Sequence, residues 1–341
     1  MPLRIDAAAL SLTACLLSGA AALADPTITE FDGPGADSTY VSGIGKGGDI
    51  SGLYVKDGAA TGYILHGDGS FLFLDGSSYP QAINASGETA GDTQDKNAFV
   101  ASADGTVTTF LPPGAGKFGA TAFAIDAKGD VAGTFVDDKV VSHGFLRGKG
   151  GDIVTFDAPG ASTKQQSGTY VTALASGGIV AGYALDDKRA GHGFLRAADG
   201  SFTVIEVDGA GGGSHQGTQV LCVSANGITG GFYKNSNRAF HAFVRDGAGN
   251  VTTFDVPGAQ NTVVTGVNNK GAAVGTYNSG GGPTHGFERL PSGHIVTIDA
   301  PDAGSASDGG TFPTGINDRG EIAGYYIGTD DNQHGFFRTK S

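Results

Sequence analysis

Apolar residues come in short runs broken by glycine-bearing polar turns, and beyond residue 24 no stretch spaces them as a helix would. The phrase His143-Gly-Phe-Leu-Arg147, a turn, then Ile153-Val-Thr-Phe-Asp157-Ala-Pro159-Gly160-Ala161 sets the pattern. It returns as His192-Gly-Phe-Leu-Arg196 with Phe202–Glu206, as His241-Ala-Phe-Val-Arg245 with Val251–Ala259, and as His285-Gly-Phe287 with Ile295–Pro301. A last copy of its first half is His334-Gly-Phe-Phe-Arg338. Between copies lies a hairpin whose turns put Asn first and Gly last, as in Asn84-Ala-Ser-Gly87 and Asn317-Asp-Arg-Gly320. That order suits a type I turn closed by a left-handed glycine.

Each unit therefore reads as four strands, a to d. In the first, a is Val41–Ile44, b is Ile50–Tyr54, c is Gly62–His66 and d is Phe71–Asp75. The a–b hairpin recurs seven times, and the d strands end at Asp32, Asp75, Leu111, Asp157, Glu206, Asp255 and Asp299. These intervals lie near the ~40–45 residues of a four-stranded propeller blade. The expectation is an all-β chain, a seven-bladed β-propeller forming one domain over 25–341. The first d strand, Thr27–Asp32, has no c strand before it, and the last a–b–c set, Thr314–Arg338, has no d strand after it. Pairing Thr27–Asp32 with His334–Arg338 would close the ring and remove the open edges.

The repeated phrase, with Gly-(Ile/Val)-Asn and Ala-Gly-Tyr between copies, resembles the HAF repeat family of secreted bacterial proteins; His241-Ala242-Phe243 spells the motif. The resemblance covers nearly all of 25–341 and implies a repeat type rather than an activity. The second copy departs from it, with Asn97-Ala-Phe-Val100 in place of His-Gly-Phe-Leu.

Composition narrows the partners. Sixty glycines in 341 residues, no tryptophan and a net charge of −13 describe a turn-rich acidic protein. That charge argues against nucleic acid and anionic membranes and favours a monomer. Residues 1–24, with Arg4, an apolar run and Ala22-Leu23-Ala24, read as a signal peptide for secretion or the periplasm. The alternative is a lipoprotein modified at Cys15 within Leu12-Thr13-Ala14-Cys15. Once the leader is removed, Cys222 is the sole cysteine, so no internal disulfide can form. It occupies a position that takes only small residues and reads as a buried apolar group.

Candidate chemistry is sparse. Five of the eight histidines (143, 192, 241, 285 and 334) share one repeat position. They would be spread around a ring rather than gathered at a metal or catalytic centre, so a structural hydrogen bond is expected for each. Asp157, Asp255 and Asp299 precede Pro-containing corners and are expected to accept turn N–H groups. The acidic pairs Asp137-Asp138, Asp186-Asp187 and Asp330-Asp331 lack a calcium-ligand ladder and read as solvated loops. No cofactor, metal or catalytic residue is assigned.

The remaining set lies where d–a loops enter strand a: Tyr40, Tyr79, Thr121, Tyr170, Gln219, Val263 and Phe312. In a propeller this set rings one mouth of the channel. Tyr40, Tyr79, Thr121, Tyr170, Gln219 and Phe312 are the candidate ligand-binding residues, with a hydrophobic plug as the alternative. Two functions stay open: a non-catalytic propeller that binds a glycan, peptide or surface partner through its d–a and b–c loops, and a hydrolase or lyase acting on a carbohydrate or lactone. The enzyme reading needs a His, Tyr, Arg or metal-bound carboxylate cluster at the channel mouth, and it gains if His215 lies within reach of Tyr170 or an Asp in a pocket.

Overall fold

The computed structural model describes residues 27–75 and 78–340. The leader, its Ala22-Leu23-Ala24 site and Cys15 lie outside the described residues. Every regular element described is a strand. Four sheets have four strands each, and a twelve-stranded sheet divides into three antiparallel four-stranded segments. We number the units by their a strands: Ser38–Ile44, Ser78–Ile83, Ala120–Ile125, Gly168–Ala175, Gly217–Val223, Asn261–Val267 and Gly310–Ile316. Each a strand touches the next, and that of unit 7 touches that of unit 1.

Units 3, 4 and 5 are not separate sheets, as the sequence pattern would have them. Parallel bridges Ser142↔Gly168 and Gly191↔Gly217 fuse them. Both bridging glycines have left-handed backbones (φ 113° and 101°), and a Cβ on either would lie 2.1 Å from a backbone oxygen of the strand it meets. Only glycine lets the backbones approach this closely.

One layer explains why these residues form these strands. Strand b carries a glycine opposite an aromatic ring of strand c: Gly52↔Tyr63, Gly91↔Phe99, Gly133↔Phe145, Gly182↔Phe194, Gly231↔Phe243, Gly275↔Phe287 and Gly324↔Phe336. The aromatic residues are almost wholly buried. A Cβ on Gly182 would meet Tyr170 O at 2.0 Å and the Phe194 ring at 2.9 Å, so the glycine is needed for space rather than for a special φ. The rings pack with Val and Ile of their own unit and with alanine, valine or isoleucine of the preceding one to form the core.

Strand a starts earlier than its apolar pattern suggests, at Ser38 rather than Val41 in unit 1. Its first residues alternate: Thr39 and Val41 are buried, while Tyr40 and Ser42 are partly exposed. A register shift follows, between Val41 and Gly43, and all seven a–b pairs carry the same shift. The extra residue bends the strand.

Residues 28–31 pair antiparallel with strand c of unit 7, with Ile28 opposite Arg338 and Phe31 opposite Gly335. They supply the fourth strand of that sheet. Beside it, Asn317 Nδ2 of unit 7 donates to Gly45 O of unit 1 at 3.2 Å. Asn84 and Asn268 make the same bond to their next units.

Candidate functional site

The d–a corners are held by a repeated clamp. At five corners the residue after the terminal carboxylate donates its N–H to a buried threonine of the next strand a: Gly33 to Thr39, Ala158 to Thr169, Val207 to Thr218, Val256 to Thr262 and Ala300 to Thr311. The carboxylates therefore do not take the turn N–H expected of them. They face the repeated histidines instead. His143 Nδ1 lies 2.8 Å from Asp157, His241 Nδ1 2.8 Å from Asp255, His285 Nδ1 3.0 Å from Asp299 and His334 Nδ1 3.0 Å from Asp32, and His192 pairs with Glu206. Four of the imidazoles stack on a strand b ring: Phe135, Tyr233, Tyr277 or Tyr326.

The acidic b–c loops have a structural task as well. Asp137 accepts from Lys139 N and Val141 N, and Asp186 accepts from Lys188 N and Ala190 N. Asp330 accepts from Asn332 N and faces His334 Nε2 at 3.2 Å. Partial burial opposes charge on His192 and His334, but their flanking carboxylates outweigh it and raise both pKa values. Asp330 is held down to about 2, chiefly by Asn332. Among the described residues no group of three or more His, Cys, Asp or Glu is placed to hold a metal ion. Cys222 is buried, and burial pushes its thiol up to about 12.

The seven positions at the strand a entrance share one register point, opposite the residue that follows the strand b glycine. All are partly exposed. They form two patches rather than an even ring. Phe312 stacks on Tyr325 with centroids 5.0 Å apart and planes 13° from parallel, and Tyr40 meets the same Tyr325 at 6.4 Å. On units 3 to 5, Thr121, Tyr170 and Gln219 line one cleft of about 430 Å³. Tyr79, opposite Asp92, and Val263, opposite Thr276, line neither patch.

Within the cleft Tyr170 lies flat on Tyr183, 5.0 Å between centroids and 10° between planes. Burial, with Tyr170 adding to it, pushes the Tyr183 phenol up to about 12. Phe123, Thr172 and Leu221 complete the wall. These three are the extra residues at the strand a register shifts. The pattern hides them because a one-residue shift breaks the alternation that assigns faces. Tyr183 was legible only as part of the repeated Ala-Gly-Tyr, with nothing in sequence to aim it at Tyr170. Thr172 Oγ1 bonds Val220 O at 2.9 Å, and Thr134 Oγ1 accepts from Val171 N at 2.9 Å. Among the described residues no side chain carrying a formal charge lines the cleft. His215 is not in it; the backbone of His215 is left-handed (φ 60°) and its N–H bonds Arg189 O at 2.9 Å.

No protein-family model matches the chain, and neither does any curated protein sequence. Its shape matches solved structures. A streptogramin B lyase aligns with a TM-score of 0.59 and 12% identity, over 91% of this chain and 97% of that one. A virginiamycin B lyase from Staphylococcus aureus aligns with a TM-score of 0.60 and 12% identity, over 93% and 100%. At that identity the likeness speaks to architecture alone, and the architecture of this chain is that of a β-propeller.

Proposed function

We propose that the chain is a secreted or periplasmic HAF-type repeat protein, a seven-bladed propeller closed by residues 28–31, that binds a neutral carbohydrate at the mouth of its channel. The repeat phrase and the residue 1–24 pattern support the family and the export route. The cyclic contacts of the strands a, the 28–31 pairing and the Asn317–Gly45 bond support closure.

A single observation carries the binding function: an uncharged cleft places a stacked Tyr170–Tyr183 pair beside the Gln219 amide and the Thr121 hydroxyl. A flat aromatic face suits the C–H surface of a sugar, and an amide and a hydroxyl suit its hydroxyls. The lyases of similar shape raise a second reading, eliminative cleavage in the same cleft. It needs a general base active near neutral pH. Among the described residues the titratable side chains lining the cleft are Tyr170 and Tyr183, and the Tyr183 phenol is pushed further from neutrality. Binding is therefore preferred.

A glycan array followed by calorimetry on the purified protein tests this. A neutral oligosaccharide should bind, and Tyr170→Ala or Gln219→Ala should abolish binding while the β circular-dichroism signal is kept. Tyr40→Ala, at the packed patch, should leave it unchanged. Wild-type affinity in Tyr170→Ala would remove the site, and turnover of a bound glycan or lactone would favour the lyase.

A further inference from the structure

We propose that the groove between units 7 and 1, on the a–b turn side of the molecule, binds a ligand bearing a planar cation on an apolar stem, the chemistry of an arginine side chain. The inference is independent of the carbohydrate cleft, which lies at the opposite mouth.

The repeat itself defines the seat. In units 3 to 7, strand c ends in Arg147, Arg196, Arg245, Arg289 and Arg338, two residues past the core phenylalanine. Where strand d of the preceding unit carries phenylalanine, this arginine lies over the ring: Arg147 over Phe110 at 4.8 Å, Arg196 over Phe156 at 4.9 Å and Arg289 over Phe254 at 4.9 Å. The guanidinium of each also covers a glycine of the following c–d turn. A Cβ on Gly151, Gly200 or Gly293 would meet it at 3.7, 3.4 and 3.5 Å.

The junction of units 7 and 1 keeps the receiving half and lacks the donor. Phe31 pairs opposite Gly335 as Phe156 pairs opposite Gly144, so it is the fourth phenylalanine of the series. The arginine position two residues past Tyr63 is Leu65. The turn glycine is Gly69, and a Cβ there meets nothing within 4 Å. A cavity of about 560 Å³ results, lined by Phe31, Phe71, Phe337, Ile50 and Leu65, with His66 and the mutually paired Arg319 and Glu321 also in its wall. The corresponding cavity of units 2 and 3, where Arg147 is present, is about 210 Å³. The neighbouring cation of that junction is replaced from within. Lys149 pairs with Glu88 there, whereas Arg319 pairs with the equivalent Glu321 here. So one seat is open, the one over Phe31. A cation over an aromatic face, with its stem against apolar walls, is favourable without a carboxylate partner, and the net charge of −13 assists its approach.

The test is a titration of the full-length protein with Nα-acetyl-L-arginine amide, its neutral isostere Nα-acetyl-L-citrulline amide, and Gly-Gly-Arg-Gly-Gly. The arginine amide should bind saturably, and the citrulline amide at least about tenfold more weakly. Leu65→Arg, which restores the repeat's own side chain, should fill the seat and weaken the arginine amide by a similar factor. Phe31→Leu, which keeps apolar bulk and removes the ring face, should do the same if Leu65→Arg does not fold. Tighter binding of the peptide than of the amide identifies a polypeptide-borne arginine; equal binding identifies a free guanidino compound. Equal binding of citrulline and arginine amides, no saturable binding, or wild-type affinity in a folded Leu65→Arg or Phe31→Leu overturns the proposal. Loss of carbohydrate binding in Tyr170→Ala leaves this result untouched.

Discussion

Units 3 to 7 and units 1 and 2 are built on the same core and finished differently. In all seven a glycine on strand b faces a buried ring on strand c. Only units 3 to 7 add the histidine–carboxylate pair and the arginine at the end of strand c. Unit 1 instead donates the Tyr63 hydroxyl to Tyr40 O at 3.0 Å. Unit 2 packs Ala101 with Leu74 of unit 1 where an arginine would meet a phenylalanine. The glycine–ring layer is thus what the fold requires, and the outer polar layer can be exchanged. Where the exchange is incomplete, at Leu65, a groove opens.

The largest effects should come from the shared layer and be equal in the two regions. Phe243→Ala and Phe99→Ala should each cost about 3–5 kcal/mol in urea denaturation; a much smaller cost for Phe99 would break the equivalence. Overpacking comes next. Gly182→Val and Gly91→Val should each lose roughly 3 kcal/mol, because the side chain must displace backbone oxygen and ring together. The regions should separate at Tyr63→Phe, which should cost about 1 kcal/mol through its lost hydrogen bond, a role that phenylalanine in the other units never fills.

The smallest effect belongs to the outer layer. His192→Ala and His334→Ala should each cost about 0.2–1 kcal/mol, since these pairs are partly solvated. The sign with pH follows from the raised histidine pKa values. The stabilisation is complete below the ordinary value of 6.5 and disappears as pH rises through the higher folded-state value. Asp330, held down to about 2, works oppositely: its contribution is present above the ordinary value of 3.8 and is lost as pH falls towards the folded value. Melting curves across pH should show the alkaline decline diminished in the double histidine variant. An unchanged decline would remove the histidines as its source.

Much of this was legible in the sequence because a repeat reports its own constraints. The four-stranded unit, the structural role of the repeated histidines and the burial of Cys222 all follow from residue types recurring at fixed positions. The corners were misread at Asp157, Asp255 and Asp299. A carboxylate and a threonine can both accept a turn N–H, and nothing in the spacing reveals that a histidine fourteen residues earlier claims the carboxylate. The residues at the strand a entrance share one register point, yet their strand b partners differ. Tyr183 turns Tyr170 into half of a stacked pair, and Tyr325 draws Phe312 and Tyr40 together. The cleft wall at Phe123, Thr172 and Leu221 depends on a register shift with no residue signature of its own.

The pairing of residues 28–31 with strand c of unit 7 also has a mechanical side. Asp32 and its partner His334 are 302 positions apart, so this contact closes a very long loop, whose lost entropy must be offset before the contact forms. Ile28 lies opposite Arg338 and Phe31 opposite Gly335, which puts the outer ends of the two segments side by side. A force pulling residues 27 and 340 apart would load the ladder one rung at a time, as a zipper is opened, rather than shearing all its rungs together. Such a fastening would yield from its ends, and the first piece to leave would be strand 28–31, with the rest of unit 7 still in place.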